Sequence, residues 1–100
     1  MIWLTQLIYI KEGEERTFDD FEAVAIPLIA KHRGKLLMRY RPSPEDVIDG
    51  TLEKPYEIHV VTFDDDADLQ AFFRDEERKK MLHLKEQSVR EVVLIKGSKV

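Results

Sequence analysis

Apolar residues in this chain fall into two patterns, short dense runs and sparse helical stripes, and the two alternate along its 100 residues. The first dense run is IWLTQLIYI at Ile2–Ile10, interrupted by Thr5 and Gln6, and its β-branched and aromatic content predicts a strand. A polar turn with Gly13 follows over 11–16. Phe18, Phe21, Ala25, Leu28 and Ile29 then recur at the spacing of one helical face. Thr17 is the expected N-cap of that helix, with Asp20 in a weak capping box, and Gly34 the expected left-handed cap after His32 and Arg33. Pro27 falls inside the stripe, where it removes one backbone hydrogen bond, but the apolar face continues past it. Residues 35–41 read as a second strand that Pro42 ends, and 42–54 as a polar loop, long for a compact domain and therefore a lid or an interface arm.

The stretch 55–87 contains the repeating unit in its clearest form. Residues 56–63 predict a third strand, preceded by Pro55, and Asp64, Asp65 and Asp66 supply N-cap candidates for the helix after it. Leu69, Phe72 and Phe73 have the spacing to face the sheet. A break is expected near Arg74, with Asp75 capping a further segment that Met81, Leu82 and Leu84 anchor. Its acidic residues come early and its lysines late, the order that the helix dipole favours. Residues 89–96 form the last strand. The order β-α-β-β-α-β predicts an α+β, ferredoxin-like domain over 1–100, with two helices on one face of a four-stranded antiparallel sheet.

The strands do not alternate apolar with polar as a sheet covered on one side should. Ile2, Leu4, Ile8 and Ile10 lie on one parity of the first strand, and Trp3, Leu7 and Tyr9 on the other. Ile58 and Val60 likewise oppose Val61 and Phe63, and Val93 and Ile95 oppose Val92 and Leu94. Both faces are apolar and the chain has helices for one. The expected solution is a homodimer in which two open sheet faces meet.

Composition narrows the function classes. Net charge is −4 and no Lys/Arg cluster dominates, so a phosphate-backbone footprint is missing and no nucleic-acid partner is expected. No run reaches the about 20 apolar residues of a membrane span. The N-terminal run lacks a basic leader and a cleavage site, and reads as a strand. Without cysteine there is no disulfide framework, thiolate nucleophile or thiolate metal site, and the cytoplasm is the default location.

Polar residues on predicted strands are the candidate chemistry, because a buried sheet tolerates them only when they are paired. Gln6, Arg39, Glu57 and His59 are such residues, with Arg41 and Tyr56 beside them. Converging in an apolar cavity between sheet and helices, they have the make-up of a small-molecule pocket. Arg39 would hold a carboxylate or enolate oxygen, His59 would move a proton near neutral pH, and Gln6, Tyr56 and Glu57 would contact the ligand. In the competing reading Arg39 and Glu57 form a structural or intersubunit ion pair and His59 is a satisfied interface histidine. The isolated histidines at 32, 59 and 83 lack the close pairing of a zinc site, so no metal is expected. His32 is accounted for by the dipole of the helix it ends. The aspartates at 64–66 lack calcium-loop spacing, and Trp3, Tyr9, Tyr40 and Tyr56 read as core or dimer contacts as readily as a cavity lining.

The element order, the join HRGKLLMR and the pattern YEIHVVTFDDDADLQAFFRDEER resemble the dimeric α/β barrel superfamily, and are most similar to its small, mostly uncharacterised families. The resemblance implies the fold and a dimer. It leaves activity open among cofactor-independent monooxygenases, haem-degrading enzymes, lactone isomerases and ligand-sensing domains. Three readings stand: a binder or cofactor-free enzyme acting on a small, partly apolar molecule; a non-catalytic interaction or sensing module; and a haem-associated monooxygenase through His83, placed where haem-binding relatives carry an axial ligand.

Overall fold

In the computed structural model, which describes residues 1–100, the strands are β1 (Ile2–Ile10), β2 (Gly34–Tyr40), β3 (Glu57–Phe63) and β4 (Val89–Gly97). They form one four-stranded sheet in the order β2-β3-β1-β4, every pairing antiparallel. Helix α1 (Glu15–Lys31) joins β1 to β2. Three short segments, α2 (Asp66–Phe73), α3 (Glu76–Lys80) and α4 (Leu82–Ser88), join β3 to β4 where the pattern predicts one interrupted helix. The topology is the expected ferredoxin-like one.

Local chemistry explains most boundaries and corrects some. The helix α1 begins before Thr17: Glu14 is its N-cap, and the Thr17 hydroxyl donates to Glu14 Oε2 at 2.8 Å from inside the first turn. Pro27 is tolerated because it and Ala23, whose carbonyl loses its donor, both lie on the exposed side, where water substitutes. The expected left-handed cap at Gly34 is displaced by one residue. Arg33 takes the positive φ of 61°, and Asp68 holds its guanidinium at 3.1 Å. Gly34 instead opens β2 where a Cβ would lie 2.6 Å from the Phe63 ring and 2.7 Å from Ile29, so close packing is what requires glycine there. Asp65 caps α2 by accepting from the Asp68 N–H, and Asp75 caps α3 by accepting from the N–H groups of Glu77 and Arg78.

The sheet separates two environments. Leu4, Val61 and Phe63 face the helices and pack with Ile29 and Leu69 into the core. On the opposite face lie Trp3, Leu7, Ile58, Val60 and Val93, partly exposed, with Met38, Tyr40 and Ile95 about half exposed. Only 19 of 100 residues are buried, and the surface of 6486 Å² exceeds the about 5,900 Å² that mass scaling gives for a folded monomer. The excess belongs to a thin slab, 36 × 36 × 16 Å, with one apolar side uncovered. No helix is long and apolar enough to cross a membrane.

Candidate functional site

The inner strands carry the polar candidates on the helix-facing side. Alternation along β3 puts Glu57 and His59 on the same face as Val61 and Phe63, with Gln6 of β1 directly opposite His59. A β-bulge between Leu36 and Met38 reverses the parity of β2, so that Arg39 lies opposite His59 on the helix side while Met38 and Tyr40 go to the open face. That one extra residue brings Arg39 and Arg41 to Glu57.

Glu57 is fully buried and saturated with donors. Arg39 Nε donates to its Oε2 at 3.0 Å, Arg41 Nε to its Oε1 at 2.8 Å, and the His59 Nε2 is tightly bonded to Oε2. Burial alone would push this carboxyl up, but the bonds from His59, Arg39 and Arg41 outweigh it and hold it at about 2. Arg41 also bonds Asp19 at 2.6 Å and lies 4.6 Å above the Tyr56 ring. Glu57 is thus an anionic anchor that fixes one side of the imidazole.

The same nitrogen also faces Glu22 on α1, whose Oε2 is 3.8 Å from Nε2. Glu22 is buried too, but no guanidinium bonds it. Burial pushes its carboxyl up to about 7, against the opposing pull of His59 and with a further push from Glu57. Two carboxyls therefore converge on one imidazole nitrogen, one locked as an anion and one poised near neutrality. This is how a site separates acid from base.

Glu22 and His59 line a cavity between sheet and helices with Gln6, Arg78 and Lys85; the remaining wall is mostly apolar, including Phe21, Phe72 and Phe73. Its volume is about 60 Å³ counted as room for water-sized occupants, enough for a few atoms beyond a single water. The ligand atoms of Glu22, Glu57 and His59 come within 4.8 Å of one another. A divalent ion there would have to break the bonds of Arg39 and Arg41 to Glu57 and sit against their charges, so the arrangement suits a shared proton better than a metal.

The sequence candidates are distributed unevenly. Gln6 and His59 reach the cavity, and Glu57 lies behind His59. Arg39 is engaged with Glu57 and does not line the cavity. Tyr56 is outside it as well: its ring meets Phe18 edge-on at 5.7 Å and borders a separate groove with Glu53 and Arg90. His83 is exposed on α4 and off the cavity wall. His32 bonds Asp75 at 2.7 Å, so a buried carboxylate, and not the dipole alone, accounts for it. Glu22, Arg78 and Lys85 are cavity-lining residues that the sequence reading missed. Glu22 had a signal: with Phe18, Ala25 and Ile29 it shares the 3- and 4-residue spacing of the buried stripe. Arg78 and Lys85 sit in a charged stretch and had none.

A family model described as "Domain of unknown function (DUF1330)" matches residues 3–98. The chain belongs to that family. No curated protein matches the DUF1330 chain. Among solved structures it is similar to a protein of unknown function from Rhodopseudomonas palustris, at 12% identity and a TM-score of 0.79, covering 99% of this chain and 82% of that one. It is also similar to a dimeric protein of unknown function with a ferredoxin-like fold from Bacteroides fragilis, at 10% identity and a TM-score of 0.73, covering 98% and 95%. A dimeric ferredoxin-like protein of unknown function from Jannaschia sp. matches at 16% identity and a TM-score of 0.71, covering 98% of each chain. These likenesses establish a ferredoxin-like fold for this DUF1330 protein.

Proposed function

We propose that this DUF1330 protein is a homodimer that binds a small, partly apolar carbonyl compound in the cavity between sheet and helices and shifts a proton on it without a resident cofactor. The observation that carries the reading is the Glu22 carboxyl, held at about 7 beside a buried histidine on an apolar cavity wall. Ionised, Glu22 removes a proton from the carbon next to the carbonyl, becoming the acid; the electron pair moves onto the carbonyl oxygen, which the Gln6 amide N–H stabilises. Return of that proton to a different atom completes an isomerisation, with His59, held by Glu57 and 3.8 Å from Glu22, favouring the ionised form of Glu22 that starts it. Glu57 and Arg39 are positioning residues, orienting the imidazole through their ion pair.

The dimer rests on the apolar open face, the excess surface and the dimeric state named for two of the similar structures. A stable pair needs about 800 Å² from each partner, which a sheet face of this size supplies. Sedimentation at micromolar concentration is expected to give twice the protomer mass; a lone protomer would remove the dimer from the account.

The small cavity volume favours a second reading, a non-catalytic interaction or sensing module whose cavity is packed core. Proton exchange separates the two. Short-chain ketones and keto acids are incubated with the protein in heavy water and followed by proton NMR. Deuterium is expected to enter next to the carbonyl with wild type and to slow by about 100-fold or more with Glu22→Gln. Exchange at the buffer rate with both proteins would leave the non-catalytic module.

A further inference from the structure

Arg78 is a buried cation with an unpartnered nitrogen. Only 9% of it is exposed, yet its Nε has no hydrogen-bond partner, and its Nη1 makes a single long bond of 3.5 Å to the Phe73 carbonyl. No carboxylate lies within ion-pair distance, in contrast to Arg33, Arg39, Arg41 and Arg90, each of which holds one. Three phenylalanine rings, those of Phe21, Phe72 and Phe73, stand 5.2–5.9 Å from its guanidinium carbon. They attract a cation but offer no acceptor in the guanidinium plane. Lys85 lines the same cavity, is also half-buried and is also unpaired; burial and the neighbouring Arg78 push its ammonium down. Glu22 in the same cavity attracts both cations from beyond bonding distance. A buried arginine with no bonded anion is rare, because its desolvation goes largely uncompensated.

Resting on the cavity reading above, we infer that Arg78, with Lys85 beside it, is the receptor for the carboxylate of a small organic acid whose apolar portion lies against the cavity wall. A planar carboxylate matches the guanidinium, accepting from one Nη and, once a shift of the side chain opens the enclosed Nε, from Nε as well, which supplies the partner that Nε lacks. The phenylalanine cluster and the aliphatic wall suit a short branched or unsaturated carbon chain, and the small volume excludes a long one. A phosphate dianion fits less well. It needs more donors than Arg78, Lys85 and Gln6 provide, and it would raise the charge facing Glu22. In this arrangement Arg78 and Lys85 bind and orient, and Glu22 and His59 meet the carbon skeleton. Arg39, the carboxylate holder that residue type suggests, is already committed to Glu57.

Isobutyrate and isobutyramide have the same shape and differ in charge, so they test the inference directly. Calorimetry and thermal shift at pH 7 are expected to show isobutyrate binding about tenfold or more tightly than the amide to wild type. In Arg78→Met the preference is expected to disappear, while the ligand-free melting temperature holds or rises because an uncompensated buried charge is gone. Lys85→Met, at a half-buried position, is expected to weaken the acid and leave the amide unchanged. It carries the test if Arg78→Met does not fold. Equal binding of acid and amide, or a preference that survives loss of both cations, would overturn the carboxylate receptor and leave the cavity reading standing. Stabilisation by inorganic phosphate but not by isobutyrate would also overturn it. Failure of every compound to bind would remove the cavity reading and this inference with it.

Discussion

The molecule contains two histidine–carboxylate pairs, His32 with Asp75 and His59 with Glu57, and their surroundings give them opposite characters. Asp75 lies at the junction of two helical segments, where it also accepts the N–H groups of Glu77 and Arg78 and pairs with Lys31 at 3.0 Å. Those partners, His32 foremost, hold its carboxyl well below the usual range. Two of these bonds cap α3, those from Lys31 and His32 tie α1 to it, and Asp75 lines neither the cavity nor the groove described above. His59 has the same kind of partner, but its Nε2 also meets Glu22, a second carboxyl that nothing locks as an anion, and both residues line a cavity. Residue type does not separate the two histidines. A neighbour with a pKa near neutrality and access to a cavity does.

Substitutions at the two pairs should have graded effects, and the largest is expected at Glu57. Glu57→Gln removes the charge that Arg39, Arg41 and His59 share, and is expected to lower stability by about 3 kcal/mol in chemical denaturation at pH 7, the lower part of the range for a broken buried ion pair. The lower part applies because both arginine side chains are more than a third exposed and can regain water. The wild-type contribution has a defined pH window. The folded value of about 2 lies below the ordinary 4.5, so the stabilisation is complete above pH 4.5 and drains away as pH falls through the folded value.

Glu22→Gln should act with the opposite sign. Its folded value of about 7 lies above the ordinary 4.5, so wild-type stability declines as pH rises from 4.5 through 7, where the unfolded chain has lost the proton and the folded chain still holds it. Glutamine mimics the protonated form. The variant is therefore expected to match wild type at pH 4 and exceed it by on the order of 3 kcal/mol at pH 8, measured by urea unfolding at both values. A variant less stable than wild type at pH 8 would mean that the carboxylate has a partner worth more than its burial. Asp75→Asn should show a smaller change, because the asparagine oxygen still caps α3 and Lys31 regains water: a fall in melting temperature that shrinks below pH 4, with cavity binding intact. Lost binding would join the two histidine pairs into one system.

Much of the fold is legible along the chain, and the reasons for the exceptions are physical. The strand and helix order, the break at Arg74 and the caps at Asp65 and Asp75 follow from periodicity and local hydrogen-bonding chemistry, which act within a few residues. The apolar open face follows from the double parity of Trp3, Leu7, Ile58, Val60 and Val93. The second break at Met81 has no glycine, proline or capping side chain to announce it. Gly34 looked like a left-handed cap because its other role, passing beneath Phe63, depends on a residue 29 positions away. The site was half visible. Gln6, Glu57 and His59 stood out as polar residues on strands, but the bulge that turns Arg39 and Arg41 onto Glu57 leaves no mark in GKLLMRY. Arg78 and Lys85 are drawn inward by where α3 and α4 dock, which no local pattern encodes.

The most direct measurement is the titration of Glu22 itself, by carbon-detected NMR of side-chain-labelled protein between pH 3 and 9, with Glu22→Gln to assign the signal. The expected midpoint is about 7, with the ring of His59 sensing the same event. A midpoint near the ordinary 4.5 would show a carboxyl that is not poised for proton transfer, and would contradict the proposed chemistry at its source.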